Sequence, residues 1–338
     1  MKTQFRIPLL LSLFFLTLLG DALPSLADIK WVTNTCGAER DQIKIQTKEY
    51  LLHGDFDKLT KTAQQFRASK ATLSDGSWKL DHFYSSFSTY NSNTNDWKQL
   101  LGKLDEWSRH ETRDPAPIIA AGNALWAMGK QARGMGFADT VTDDGWNFLR
   151  ESLGKDINKL TVEYDRCKSC PGYYVVMLKI GVDGEIRRSK FESLFEQGVK
   201  LEPKYAPLYE TKAYYLLPRW YGRKGELREF IYTTAERYPE IAIWILWRLQ
   251  YQAVYENVFR EENIEWDQIK TALKKSIQSK SLGIGQANMM AYLSDIAGDP
   301  DTLAAAMKSV DNQFDVSMWR SYERVVEIAA KIHYGEVK

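Results

Sequence analysis

The sequence predicts an all-α protein of stacked antiparallel helical hairpins, and three observations carry that prediction. Beyond its N-terminal segment the 338-residue chain repeats apolar residues at i, i+3, i+4 and i+7, with no convincing run of alternating strand pattern. From Phe191 onward, Phe191, Leu194, Phe195, Gly198, Val199 and Leu201 fall on one helix face, Pro203 stops it, and a second helix starts near Ala206. In "YLLHGDFDKL", Tyr50 to Leu59, Gly54 and Asp55 separate two helices, and Phe56 and Leu59 face the core of the second. One pair of helices cannot bury its apolar face, so pairs stack into a curved array with an inner groove.

The first element is a leader. Lys2 and Arg6 precede an uncharged apolar run from Ile7 to Leu19, and Ser25 and Ala27 stand where a signal peptidase prefers small residues. Residues 1–27 read as a secretory signal peptide cut after Ala27, and 28–338 as a single helical-repeat domain. The apolar run is thirteen residues long, short of the roughly 20 a spanning helix needs. The expected location is the periplasm or the exterior, with no integral membrane segment after cleavage. Cys36 follows "VTNT", which is no lipidation signal. The leader holds two of the 45 basic and one of the 44 acidic side chains, so 43 of each remain. A neutral chain lacks the net field that drives nucleic-acid binding, and no nucleic-acid partner is expected.

Cys167 and Cys170 form a C-x-x-C and Cys36 stands alone. In an oxidising compartment a Cys167–Cys170 disulfide, or inert thiols there, is the first expectation, and a bond from Cys36 to one of the pair is the other. There is no second C-x-x-C for a zinc ribbon, and His53, His82, His110 and His333 lack ligand spacing, so no metal or cofactor is expected.

In "ADTVTDDGW", Ala138 to Trp146, Thr140 or Thr142 caps a helix and Asp143 and Asp144 complement its dipole. Gly134 and Gly136 permit a tight passage before it, and Arg133 pairs with Asp139 or with a ligand. In "AYYLLPRWYGRKGE", Ala213 to Glu226, Pro218 removes a backbone donor and bars Leu217 from helical geometry, so the helix ends there. Arg219, Trp220 and Tyr221 then sit on a rigid bend that Gly222 and Gly225 lead on to the next helix at Leu227. Trp220 either plugs a gap between repeats or joins a contact surface. Trp, Tyr and Arg are enriched at binding hot spots, and a fixed bend lowers the ordering cost of binding. Arg133, Arg219, Trp220 and Tyr221 are the candidate binding residues.

The junction of Phe195, Gly198, Pro203, Tyr209 and Ala213 resembles that of a tetratricopeptide repeat, and Tyr50–Leu59 resembles the repeat's turn. Elsewhere the pattern is degenerate: "TTAERYPEIAIWILWRL" keeps Pro239 between helices while its small residues drift out of register. Four phrases, Thr72–Phe87, Ala132–Trp146, Cys170–Leu178 and Ala213–Glu226, resemble a bacterial domain-of-unknown-function family, the one numbered 4034, over about Gln42–Ile245. Residues 246–338 are then additional C-terminal helices. The resemblance implies a helical fold similar to tetratricopeptide proteins and carries no agreed activity, cofactor or catalytic residue. The pairing of Cys167 with Cys170 is the one departure.

The function expected from these readings is an exported module that binds or scaffolds a protein or peptide. The alternative is a cell-wall glycan-binding protein or an α-helical hydrolase. For it, 11 Trp, 18 Tyr and 14 Phe offer stacking groups, and Glu261, Glu262 and Glu265 of "FREENIEW" offer carboxylates of the kind glycosidases pair at about 5–10 Å. Glu261 and Glu265 stand at i and i+4, as on a solvated helix face. No G-x-S-x-G, H-E-x-x-H, Walker loop or Cys/His/Asn constellation is present, and no catalytic residue is assigned.

Overall fold

Gly54 adopts a left-handed φ of 75° and returns its N–H to Leu51, which ends α1 (Gly37–His53) and lets α2 (Phe56–Ser69) begin two residues later. The same economy recurs down the chain, where Pro171, Pro207, Pro239 and Pro300 open helices from the first turn, a position in which their missing N–H would have had no partner. The computed structural model describes residues 29–32, 36–88, 93–134, 142–183, 186–252 and 255–333. Residues 1–27, read from the sequence as a signal peptide, and Gly136, Asp139 and Thr140 lie outside these residues.

The remaining helices are α3 (Lys79–Ser85), α4 (Thr94–His110), α5 (Ala116–Arg133), α6 (Asp143–Val162), α7 (Tyr164–Cys167), α8 (Pro171–Val182), α9 (Arg188–Leu201) and α10 (Ala206–Tyr215). After them come α11 (Glu226–Arg237), α12 (Pro239–Tyr251), α13 (Val258–Glu261), α14 (Trp266–Gln278), α15 (Ile284–Ala297), α16 (Pro300–Lys308) and α17 (Tyr322–His333). The all-α expectation is met: among the described residues the strands are two residues each, β1 (Trp31–Val32) and β2 (Phe314–Asp315).

The helices form two layers. An inner row runs α3, α5, α8, α10, α12 and α15, each packed on the next, and α4, α6, α9, α11, α14 and α16 back it from outside. Burial follows the layers. Every residue of the inner helix α8 is buried except Lys179, as an all-round apolar helix requires, whereas the outer α9 buries the stripe Phe191, Leu194, Phe195 and Gly198.

The row that the sequence pattern predicts as a curved array with an inner groove closes on itself. β1 pairs with β2 in parallel, Trp31 opposite Phe314, and the first turn of α15 sits on the turn before α3. There Gly283 and Gly285 pass so near Ser74 and Asp75 that an added Cβ would stand 2.4 Å from Ser74 O and 2.8 Å from Asp75 Cα. Asn288, fully buried on α15, ties the seam. Its Oδ1 accepts from Asp315 N and Trp319 Nε1, both at 3.0 Å, and its Nδ2 donates to the carbonyls of Ile284 and Gln313, both at 2.9 Å.

Candidate functional site

The inner row encloses a basin of about 780 Å³, inside the range of small-molecule sites, about 300–1,000 Å³. Its wall draws on both ends of the chain, from Arg40 of α1 to Met318 beyond β2. Two clusters of like design dominate it. On α5, Trp126 and Lys130 stand one turn apart. Asp183, which follows α8, accepts from Trp126 Nε1 at 2.8 Å through one oxygen and from Lys130 Nζ at 2.7 Å through the other.

On α12, Trp244 and Arg248 repeat that spacing, and Glu210 of α10 accepts from Trp244 Nε1 and Arg248 Nε, both at 2.9 Å. Burial works to raise the Glu210 pKa, but the Arg248 charge and the two hydrogen bonds outweigh it and hold the carboxyl below its ordinary value. Cations lie over both indoles, Lys179 Nζ 5.1 Å from the Trp126 ring centre and Arg248 Cζ 5.7 Å from that of Trp244. Tyr214 and Tyr251 add phenols to the wall, and the Trp247 indole stacks on Tyr251 at 4.7 Å.

A third group lies at the seam. Asp75, 1% exposed, accepts from the backbone and hydroxyl of Ser77 with Oδ1, and from Arg40 Nη2 at 2.6 Å and Cys36 Sγ at 3.1 Å with Oδ2. His82 Nε2 is 2.7 Å from the Ser77 hydroxyl. Because that hydroxyl gives its proton to Asp75, it meets His82 as an acceptor, the reverse of what a serine nucleophile needs. Burial lowers the His82 pKa, which leaves the ring neutral at neutral pH. The same Asp-x-Ser turn recurs at Asp315, whose Oδ1 takes the Ser317 N–H at 3.0 Å and hydroxyl at 2.6 Å.

Of the candidate residues on the bend, Trp220 and Arg219 pack on the basin-lining Tyr214, while Tyr221 packs on Tyr215, which does not line the basin. α10 ends at Tyr215, three residues before Pro218, and the bend folds back on the helix end so closely that a Cβ on Gly222 would lie 1.8 Å from Leu216 O. Trp220 is part-buried, with its ring centre 5.9 Å from both the Tyr214 ring and Lys130 Nζ. Arg219 lies over Tyr214 at 5.6 Å, and Tyr221, 39% exposed, stacks on Tyr215 at 4.6 Å. Arg133 stands at the end of α5, one turn beyond Lys130, and its Nη1 donates to Gly134 O at 3.4 Å. Arg133, Arg219, Trp220 and Tyr221 are all outside the basin wall, whereas Tyr214 and Lys130 belong to it.

The expected Cys167–Cys170 bridge is not formed. Cys36, Cys167 and Cys170 are free and buried, because Cys170 Sγ turns to Tyr84 Oη at 3.4 Å and Cys36 to Asp75. Burial, then the Asp75 charge, pushes the Cys36 thiol up to about 12, and burial does the same for Cys167, so neither supplies a thiolate at neutral pH. Thr142 caps α6, its hydroxyl accepting from Gly145 N at 3.2 Å.

Of the acid-rich stretch, Glu261 accepts from Asn257 N at 2.8 Å, Glu262 from the Tyr255 hydroxyl, and Glu265 from the Gln268 amide. None of these carboxylates lines the basin. Among the described residues no group of three His, Cys, Asp or Glu is placed to hold a metal ion, and no helix is long and apolar enough to cross a membrane.

Sequence reasoning passed over the basin itself. The Trp-x-x-x-cation spacing of Trp126 with Lys130 and Trp244 with Arg248 does not single it out, because Trp146 with Arg150, Trp220 with Lys224 and Trp266 with Lys270 repeat that spacing elsewhere in the chain. No protein-family model, curated protein or solved structure matches this chain.

Proposed function

We propose that this chain is an exported binding protein that holds its ligand in the basin rather than on the bend at 218–222. Of the two ligand classes the sequence suggests, a peptide segment and a glycan, either fits the volume. The observation that supports binding over catalysis is the pairing of the basin's ionisable groups. Asp183 forms an ion pair with Lys130, Glu210 with Arg248 and Asp75 with Arg40. A general acid must instead keep its proton near neutral pH, which takes an environment that raises its pKa.

The test is a filled basin. Thr211 of α10 lines it, and Thr211→Trp places an indole in the space. Wild type, Thr211→Trp and the double variant Trp220→Ala/Tyr221→Ala are probed against peptide and glycan arrays. Signals lost on filling and kept by the double variant support the basin. Signals that survive filling and vanish in the double variant return the ligand to the bend.

A further inference from the structure

We infer that the basin's ligand is a neutral, short oligosaccharide, a reading that rests on the basin being the binding site. The two indoles carry the argument. With its Nε1 proton committed to Asp183 or Glu210, each ring is fixed in orientation and offers a partner its edge and the π-surface that Lys179 or Arg248 does not cover. Tyr214 and Tyr251 add phenol faces on the same wall. Flat aromatic faces suit the apolar C–H faces of pyranose rings, and their rotation is restrained before the ligand arrives.

The charges exclude most other occupants. The wall carries the cations Arg40, Lys44, Lys130, Lys179 and Arg248 and the carboxylates Asp75, Asp81, Asp183 and Glu210. Three of these cations are already paired with three of the carboxylates, and Lys179 also bonds to Asn123 Oδ1 at 3.3 Å. Outside those pairs a charged ligand meets only Lys44, Lys179 and Asp81, and beyond them it would have to separate pairs that satisfy one another, leaving a charge without its partner. Hydroxyl groups need no such separation. An ammonium has three donors, a guanidinium five and a carboxylate about four acceptor sites, so the Lys130–Asp183 and Arg248–Glu210 pairs keep unused donors and acceptors side by side, whereas Asp75 already accepts four hydrogen bonds. A vicinal diol, which donates and accepts from adjacent carbons, bridges them.

The peptide modes find less to hold. The described strands are two residues each and pair with each other, so they offer only a two-residue edge to an added strand, and an amphipathic helix would set its apolar face against paired charges. The closed wall also favours a short ligand over the middle of a long one.

The experiment titrates the purified protein with short chitin-, cellulose- and starch-derived oligosaccharides and, in parallel, with a mixed short-peptide pool, read by calorimetry and saturation-transfer NMR. The expected result is binding of at least one sugar series, with affinity that grows with length and then levels as the basin fills, and little change at high salt. Trp126→Ala and Trp244→Ala each weaken it about ten-fold, while Trp126→Phe keeps most of it because stacking survives without the N–H.

Binding of peptides alone, or binding that falls steeply with salt, overturns the sugar assignment and leaves the basin standing if Thr211→Trp still abolishes it. Sugar binding untouched by either tryptophan variant and by Thr211→Trp overturns the basin as the site. Failure of every oligosaccharide overturns the inference outright.

Discussion

Gly285→Ala strikes the seam that closes the inner row. The new Cβ would stand 2.8 Å from Asp75 Cα, 2.9 Å from Asp75 Cβ and 3.2 Å from Asp75 N. The first of these is about 0.6 Å inside an ordinary contact, and backbone cannot swing aside, so α15 must retreat from the turn that carries Asp75 and Ser77. Overpacking of this kind costs about 1–3 kcal/mol. Against it stands the helix preference for alanine over glycine, at most about 1 kcal/mol and less in a first turn. The net is a loss of about 1–2 kcal/mol.

Urea unfolding followed by circular dichroism measures it, with Gly102→Ala as control. Nothing lies within 4 Å of a Cβ at Gly102, inside α4, so that substitution stabilises by about 0.5–1 kcal/mol. Hydrogen exchange adds the local readout, because amides of 72–79 and 284–290 should exchange faster in Gly285→Ala alone. A midpoint for Gly285→Ala at or above wild type, or unchanged exchange at 72–79, would refute the close approach on which the closed row depends.

Three other outcomes follow from the same packing. Asn288→Ala strips the partners of Asp315 N and Trp319 Nε1; two buried donors without acceptors cost about 3 kcal/mol, seen as a fall in the urea midpoint. Gly198→Ala puts a methyl 2.9 Å from Leu208 Cδ2 and 3.0 Å from Tyr174 Cβ, which costs about 1–3 kcal/mol and lowers the thermal midpoint by a few degrees.

His82 has a folded pKa below its ordinary value of about 6.5, so in that window the unfolded chain binds the extra proton. Stability then declines as pH falls below about 6.5. In His82→Gln the decline over that window is shallower, as urea midpoints measured at a series of pH values would report.

The local grammar of the helices was legible where one residue type has one physical use. Gly54 ends α1 and Pro239 opens α12, and Phe195, Gly198, Tyr209 and Ala213 of the repeat-like junction are all buried. Leu201, read as part of that apolar face, is 40% exposed, since it lies in the last turn, where the helix leaves its neighbour. The basin was not legible because its wall is assembled from residues spread between Arg40 and Met318, each of which reads locally as ordinary helix surface or core. Three of the four phrases singled out in the sequence do reach it, through Asp75, Ser77 and His82, through Val175, and through Ala213 and Tyr214. Trp220 drew notice because a proline bend makes an aromatic conspicuous in sequence, yet the bend turns it toward Tyr214 as support. For Cys167 and Cys170 the sequence left a disulfide and inert thiols both open, because whether two sulfurs meet depends on what each is packed against, and the structure holds free, buried thiols.

The pairing of residues 31–32 with 314–315 has a consequence for biogenesis. A linear solenoid grows by accretion, each new repeat condensing on the last as it emerges. Here the opening strand has no partner until almost the whole polypeptide has been delivered, and such a non-local connection slows the folding search. A chain arrested partway through delivery would hold its early hairpins without Asn288 or the Asp315 turn, and so without a finished cavity to offer a ligand prematurely.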